Sequence, residues 1–301
     1  MDNSLFDVII IGAGPAGLNG ALVLGRCRRR VLVCDAGHPR NAVSHGLHNF
    51  ITRDGIDPAE FLRIGRAELK SYETVKHLTI EVSGARRLEN GFEVTLSNGE
   101  PAVARKLLIA TGVVDDLPKL QGFDSFYGRS VFHCPYCDGW EMRDRPLAVY
   151  GKGEKGLGLA LELLLWSRDL VLCTDGSAEL SADDSARLAQ HKIPVREEQI
   201  LRLEGKDGLL EQIVFADGKT IQRRGMFFST GQRQASELAK NLGCEFTEQG
   251  CVATGEYEAT NIPGLYVAGD ASRLVQFVIV AAAEGAQAAV AINKELMKQD
   301  L

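Results

Sequence analysis

Two cysteines separated by two residues, Cys134-Pro135-Tyr136-Cys137, are the side chains of this 301-residue chain best suited to chemistry. A CxxC at the start of a helix brings two sulfurs within bonding distance and lowers the pKa of one thiol. The thiolate so formed is the nucleophile that disulfide exchange requires. Asp138 follows directly, in place to act as an acid or base, itself or through water. His133 precedes the pair, where it could depress a thiol pKa or simply lie at the surface. Half of a zinc site and two unrelated buried cysteines are the competing readings. Zinc takes four ligands, and no second CxxC or His pair stands at ligand spacing, so a redox pair is preferred and no metal is expected.

Two glycine-rich loops are the next chemical signal. In the first, Gly12-Ala13-Gly14-Pro15-Ala16-Gly17 follows an apolar run from Asp7 to Ile11 and precedes a helical pattern, and Asp35 ends a second apolar strand 23 residues beyond Gly12. Strand, glycine turn, helix and distant acid together make a dinucleotide fingerprint. Gly12 permits the tight turn, Gly14 the approach of a pyrophosphate and Gly17 close helix packing, while Asp35 would accept from an adenosine ribose. In the second, Gly151-Lys152-Gly153-Glu154-Lys155-Gly156 follows the strand 146–150, and Asp175 lies 24 residues beyond Gly151.

The elements around these loops repeat. Each half reads as a βαβ unit, then short strands with hairpin turns (Asn90-Gly91, Asn98-Gly99, Asp217-Gly218), then an aliphatic strand closing on Thr-Gly at Thr111-Gly112 and Thr230-Gly231. A late strand and an Ala-rich helix cannot bury both faces alone and must return to the first domain. The expected fold class is α/β, with two Rossmann-like dinucleotide-binding domains of the three-layer ββα kind, the second inserted in the first. Residues 1–113 and 245–301 would form one domain and 114–244 the other. The basic run Arg26, Arg28, Arg29 and Arg30 reads as charge at the negative end of the first helix. A net charge of −6 disfavours nucleic acid, and the glycine-broken opening stretch fits neither a signal peptide nor a membrane span. The odd total of seven cysteines does not form a secreted framework, and the five outside the pair, at 27, 34, 173, 244 and 251, read as small core residues. A cytoplasmic protein is expected.

With Gly12-Ala13-Gly14-Pro15-Ala16-Gly17, Ala110-Thr111-Gly112, Cys134-Pro135-Tyr136-Cys137-Asp138-Gly139 and Ala268-Gly269-Asp270-Ala271 in this order, the chain resembles the low-molecular-weight thioredoxin reductase family over essentially its whole length. The resemblance implies FAD in the first domain, a redox disulfide in the second, a homodimer and rotation of one domain against the other. By resemblance, FAD would be held by Gly12, Gly14, Pro15, Ala16, Gly17, Asp35, Ala36, Arg40 and Asn41. Asn49 would lie near the isoalloxazine ring, and Ala110, Thr111, Gly112, Gly269 and Asp270 would complete the site. Gln276, Phe277 and Val278 would open a helix whose N-terminus steadies negative charge on the reduced flavin. Cys137 would exchange electrons with FAD, and Cys134 would attack or release the external disulfide, borne by a thioredoxin-like protein or a small molecule.

The chain departs from the family at the second loop. NADPH-dependent members carry a basic run where Thr174-Asp175-Gly176 stands, and an acid there repels a 2′-phosphate. NADH, held at Gly151, Gly153, Lys155, Gly156 and Asp175, is one reading. A donor that is not a nicotinamide, such as ferredoxin or a second flavin, is the other. A flavin-linked thiol-disulfide oxidoreductase with a non-standard donor is thus expected, beside two alternatives, a small-molecule dithiol oxidase using oxygen and a flavin-binding redox sensor.

Overall fold

The structure is a computed structural model that describes residues 5–301. The chain opens with β1 (Leu5–Ile11), α1 (Pro15–Arg26), β2 (Val31–Cys34), α2 (Pro58–Leu69), β3 (Val75–Leu78), β4 (Val82–Leu88), β5 (Gly91–Leu96) and β6 (Pro101–Ile109), and leaves through β7 (Val113–Asp115). A second set follows: β8 (Val131–Phe132), α3 (Pro135–Asp138), β9 (Leu147–Tyr150), α4 (Gly153–Glu162), β10 (Leu170–Cys173), α5 (Ala182–Gln190), β11 (Val195–Arg196), β12 (Ile200–Lys206), β13 (Leu209–Phe215), β14 (Thr220–Gln222) and β15 (Gly225–Phe228). The chain returns through β16 (Gln232–Gln234), α6 (Leu238–Asn241), β17 (Leu265–Val267) and α7 (Val278–Asp300).

Two compact units result among the described residues: residues 5–42, 49–114 and 233–301, and residues 43–48 and 115–232. In the first, β3, β2, β1, β6 and β17 pair in parallel, while β4, β5 and the start of β6 form an antiparallel layer. Side chains alternate across β1: Val8 and Ile10 pack with Leu24 of α1 and Ile292 of α7, while Ile9 and Ile11 join Phe92, Val94 and Leu107. That alternation makes three layers from one strand. The second unit repeats the plan, with the parallel order β11-β10-β9-β15-β8 and the antiparallel sheet β12-β13-β14.

The unit boundary differs from the one expected from sequence. Residues 233–244 go with the first unit because Leu238, Ala239 and Cys244 pack into the cluster of Phe92 and Leu107. Residues 43–48 go with the second, where Gly128 sits so close to the Val43 carbonyl that a Cβ would overlap it.

Local chemistry explains the helix starts. Asp57 caps α2 by accepting the Glu60 N–H, and Ser181 and Asp184 form a reciprocal capping box on α5. The arginine run begins in the last turn of α1, at Arg26, and also ties elements together: Arg29 reaches Asn293 and Asp300 of α7, and Arg26 reaches Tyr72. Cys27 is exposed at the end of α1, which corrects its reading as a core residue, whereas Cys34, Cys173, Cys244 and Cys251 are buried. Burial pushes the Cys34 thiol up to about 11 and that of Cys173 to about 12, so both stay protonated at neutral pH.

Candidate active site

In the first unit the glycine loop is built for close approach. Gly12 adopts φ +102°, and a Cβ there would overlap the Ala110 carbonyl oxygen; one at Gly17 would overlap the Gly12 carbonyl. Gly14 instead faces open space, with nothing within 4 Å of its Cβ position. The N-terminus of α1, at Pro15 and Ala16, has no side-chain cap and no acid in its first turn. The N-terminus of α7, capped by Phe277 in extended conformation ahead of Val278, is likewise without a side-chain cap or acid. Backbone N–H groups at such ends attract anions.

Around this loop the structure assembles most of the residues expected from sequence. Asp35 ends β2, with Oδ1 accepting the Gly37 N–H at 2.9 Å and Oδ2 accepting from Arg66 Nη2 at 2.7 Å. His77 Nε2 lies 3.6 Å from the same Oδ2. Arg66 on α2 and His77 on β3 were not legible from sequence, because only the fold brings them to Asp35. Ala36 follows at the surface, and Asn41 is half-buried two residues beyond Pro39. Arg40 Nη1 donates to Asp270 Oδ2 at 3.0 Å and to Gln276 Oε1 at 2.6 Å, joining three of the expected residues. Gly112, which follows Ala110 and Thr111, holds φ +70°, and its Cβ position is 4.0 Å from the Asp270 Cβ. Gly269 adopts φ +82°. Asn49, at φ +65°, donates its N–H to Asp54 and is exposed. An open glycine cradle, two uncapped helix N-termini and an acid at the end of β2 fit FAD.

In the second unit Cys134 is the N-cap of α3, and Pro135 starts the helix. Cys134 and Cys137 form a disulfide, with Cα atoms 5.3 Å apart, and the Cys134 sulfur accepts the Cys137 N–H. Asp138 is pushed up to about 7, chiefly by burial and next by the charge of Glu141, while His48 acts in the opposite direction. His48 Nε2 is 3.8 Å from Glu141 Oε1. His133 Nδ1 lies 3.4 Å from the Tyr127 hydroxyl and 3.9 Å from Asp115 Oδ2. Tyr136 is exposed and meets Trp166 edge-on, while Arg143 covers the ring of exposed Trp140 at 4.1 Å. His48, Glu141, Asp115 and Tyr127 lie far from the CxxC in sequence or carry no motif, so nothing in the sequence marked them. Among the described residues no group of three or more His, Cys, Asp or Glu could hold a metal ion.

The second glycine loop has the same backbone plan and different surroundings. Gly151 and Gly156 again touch, their close approach setting strand against helix. Here, however, the Gly153 N–H donates to the Ala178 carbonyl at 2.9 Å, and the Glu179 carbonyl lies 3.5 Å from the Gly153 Cβ position. Lys152 Nζ stands 4.0 Å from Glu179, while Lys155 is exposed. Asp175 Oδ1 accepts the Ile200 N–H at 2.6 Å, and its Oδ2 is 3.4 Å from the Tyr150 hydroxyl. Ala178 is fixed in turn by its N–H to Glu197 Oε1 at 2.7 Å. The turn 174–180 therefore packs against the loop, its Ala178 carbonyl accepting the Gly153 N–H.

One Rossmann-like unit with a flavin cradle and another carrying a CxxC disulfide define a flavoprotein disulfide oxidoreductase. The family model for pyridine nucleotide-disulphide oxidoreductases matches residues 6–285, and the chain belongs to that family, as a thioredoxin reductase-like member. It is 29% identical to the thioredoxin reductase aclD of Aspergillus oryzae over 304 residues, covering 97% of this chain and 96% of that one. A solved Bacillus anthracis structure, TrxB, described as a thioredoxin reductase, superposes with a TM-score of 0.93 at 35% identity, covering 98% of this chain and all of that one. The solved structure of HlmI superposes with a TM-score of 0.95 at 36% identity, covering all of this chain and 95% of that one. No helix among the described residues is long and apolar enough to cross a membrane.

Proposed function

We propose that this enzyme moves electron pairs between FAD, the Cys134–Cys137 pair and an external dithiol or disulfide, and that it does so without a nicotinamide at its second glycine loop. The observation that carries this reading is the turn 174–180. Its Ala178 carbonyl takes the Gly153 N–H, and the Asp175 carboxylate is engaged by Ile200 and Tyr150. A pyrophosphate would have to displace both the backbone contact and the Glu179 carbonyl.

An external dithiol then supplies the electrons. One substrate thiolate attacks the Cys134 sulfur, the 134–137 bond breaks, and Cys137 leaves as thiolate; the second substrate thiolate releases Cys134 and closes the substrate disulfide. Two electrons have passed to the pair, whose thiolates can take up the two protons that the substrate thiols lost on ionising. Asp138, with its raised pKa, accepts or returns a proton at Cys137. FAD, when bound, would supply the two-electron sink that lets Cys134 and Cys137 reform their disulfide. Gly12, Gly14, the first turn of α1, Asp35 and the Asp270 turn hold that cofactor.

Oxygen as the final acceptor is favoured by the same closed loop, since no nucleotide competes for the reduced flavin; peroxide would then appear in step with dithiol consumed. The five free cysteines support a reducing, cytoplasmic setting, and the family resemblance supports a homodimer, which light scattering checks. The test is anaerobic mixing of the yellow protein with NADH, NADPH and a small dithiol in turn. Bleaching by the dithiol alone is expected, and rapid bleaching by either nicotinamide defeats the reading. An absence of dithiol turnover in air or with added carriers favours the redox sensor.

A further inference from the structure

We infer that Arg273 is a positioning residue for the flavin, clamping the Gly269–Asp270 turn against the first turn of α1 from behind. Its Nε donates to Glu284 Oε1 at 2.6 Å and its Nη2 pairs with Glu258, both carboxylates being buried. Its Nη1 donates to Thr254 Oγ1 at 2.7 Å and to the Ser272 carbonyl at 3.0 Å. The other oxygen of Glu284 accepts the Gly269 N–H at 2.7 Å, so one carboxylate fixes both the guanidinium and the turn.

That turn and Gly285, the residue after Glu284, pack on the same residue. A Cβ at Gly269 would stand 3.1 Å from the Ala16 Cβ, and one at Gly285 would overlap the Ala16 carbonyl. Ala16 belongs to the first glycine loop. Arg273 thus ties the 254–258 segment, the Asp270 turn and α7 to the helix end that would meet the pyrophosphate. The Glu258 segment reaches inward through positive φ at Tyr257 and Glu258, +55° and +66°, a conformation that costs non-glycine residues energy.

A network built only for stability would not look like this. Two buried carboxylates share one half-buried guanidinium, and burial pushes Glu284 up to about 6 and raises Glu258 as well. Apolar side chains of similar volume commonly hold such segments together equally well or better. What the ionic arrangement adds is direction: a forked donor and a backbone acceptor define one position for the turn.

The test uses flavin-free protein and is indifferent to the electron donor. Titration with FAD gives the dissociation constant, and the thermal midpoint of the flavin-free protein reads stability separately. Arg273→Met is expected to weaken FAD binding by about tenfold, and Arg273→Lys, which keeps the charge without the fork, to recover part of the loss. Arg273→Met leaves two buried carboxylates without a cation, which destabilises the fold as well. The neutral combination Glu258→Gln/Arg273→Met/Glu284→Gln keeps the volumes and an acceptor for the Gly269 N–H. It is expected to melt within roughly 4 °C of the parent when flavin-free, yet to bind FAD about tenfold more weakly. FAD binding within about twofold of the parent in that combination overturns the proposal. A flavin-free midpoint lowered by more than roughly 4 °C also overturns it, by making the network a plain stability element.

Discussion

The two glycine loops of this chain share a backbone and differ in what faces them. Around Gly14 there is open space at an uncapped helix end; around Gly153 the chain's own Ala178 and Glu179 carbonyls occupy the corresponding position. The loop motif therefore encodes a packing solution, close contact of strand and helix through Gly12/Gly17 and Gly151/Gly156, and ligand binding is a separate property added by the surroundings. A GxGxxG reports the first and is silent on the second.

The largest effects separate the flavin loop from the redox pair. Cys134→Ser or Cys137→Ser is expected to lower turnover by about a thousandfold or more while the protein keeps its flavin, as absorbance and steady-state rates will reveal. Gly14→Asp places a carboxylate in open space at the helix end, so the flavin-free fold survives while FAD binding falls by at least about a hundredfold, read by fluorescence titration. If the second loop is a packing device, Gly153→Ala, at φ +52°, will cost only about 1 kcal/mol of stability and leave dithiol turnover unchanged. Asp175→Asn removes the carboxylate that accepts the Ile200 N–H and is expected to cost on the order of 1 kcal/mol, seen as a lower thermal midpoint with flavin content and turnover intact.

A pH-linked effect belongs to Asp138. Its folded-state pKa of about 7 lies above its ordinary value of 3.8, so the folded chain binds a proton that the unfolded chain does not between these two pH values. Stability of the second unit should accordingly rise as pH falls from about 7 toward 4 and level off above 7. Asp138→Asn should remove that slope in denaturation midpoints. The same substitution should erase an ionisation near neutrality from the turnover profile.

How much of this the sequence disclosed follows from how local each feature is. The CxxC, both glycine loops and the duplicated α/β plan are contiguous patterns, and they were legible. The partners of Asp35 were not, since Arg66 and His77 reach it from a helix and a strand that sequence spacing does not relate. Asp115 and Tyr127 meet His133, and His48 meets Glu141, through contacts that no motif marks. The turn over the second loop depends on positive φ at Asp175 and Glu179, residues that only tertiary context holds there. Asp175 stands where a ribose ligand is expected, and that its carboxylate also accepts from Ile200 was not readable from its place in the chain. The segment 233–244 joined the first unit through three buried side chains too sparse to announce a boundary.

The most direct measurement is a count of dinucleotides per chain. Purified protein is assayed for bound flavin and then titrated calorimetrically with NADH and with NADPH up to about 1 mM, a range that detects even weak sites. One FAD per chain and no nicotinamide binding is the expected result. A second flavin, or saturable binding of either nicotinamide, would contradict the closed second loop and return the enzyme to a nucleotide-fed scheme.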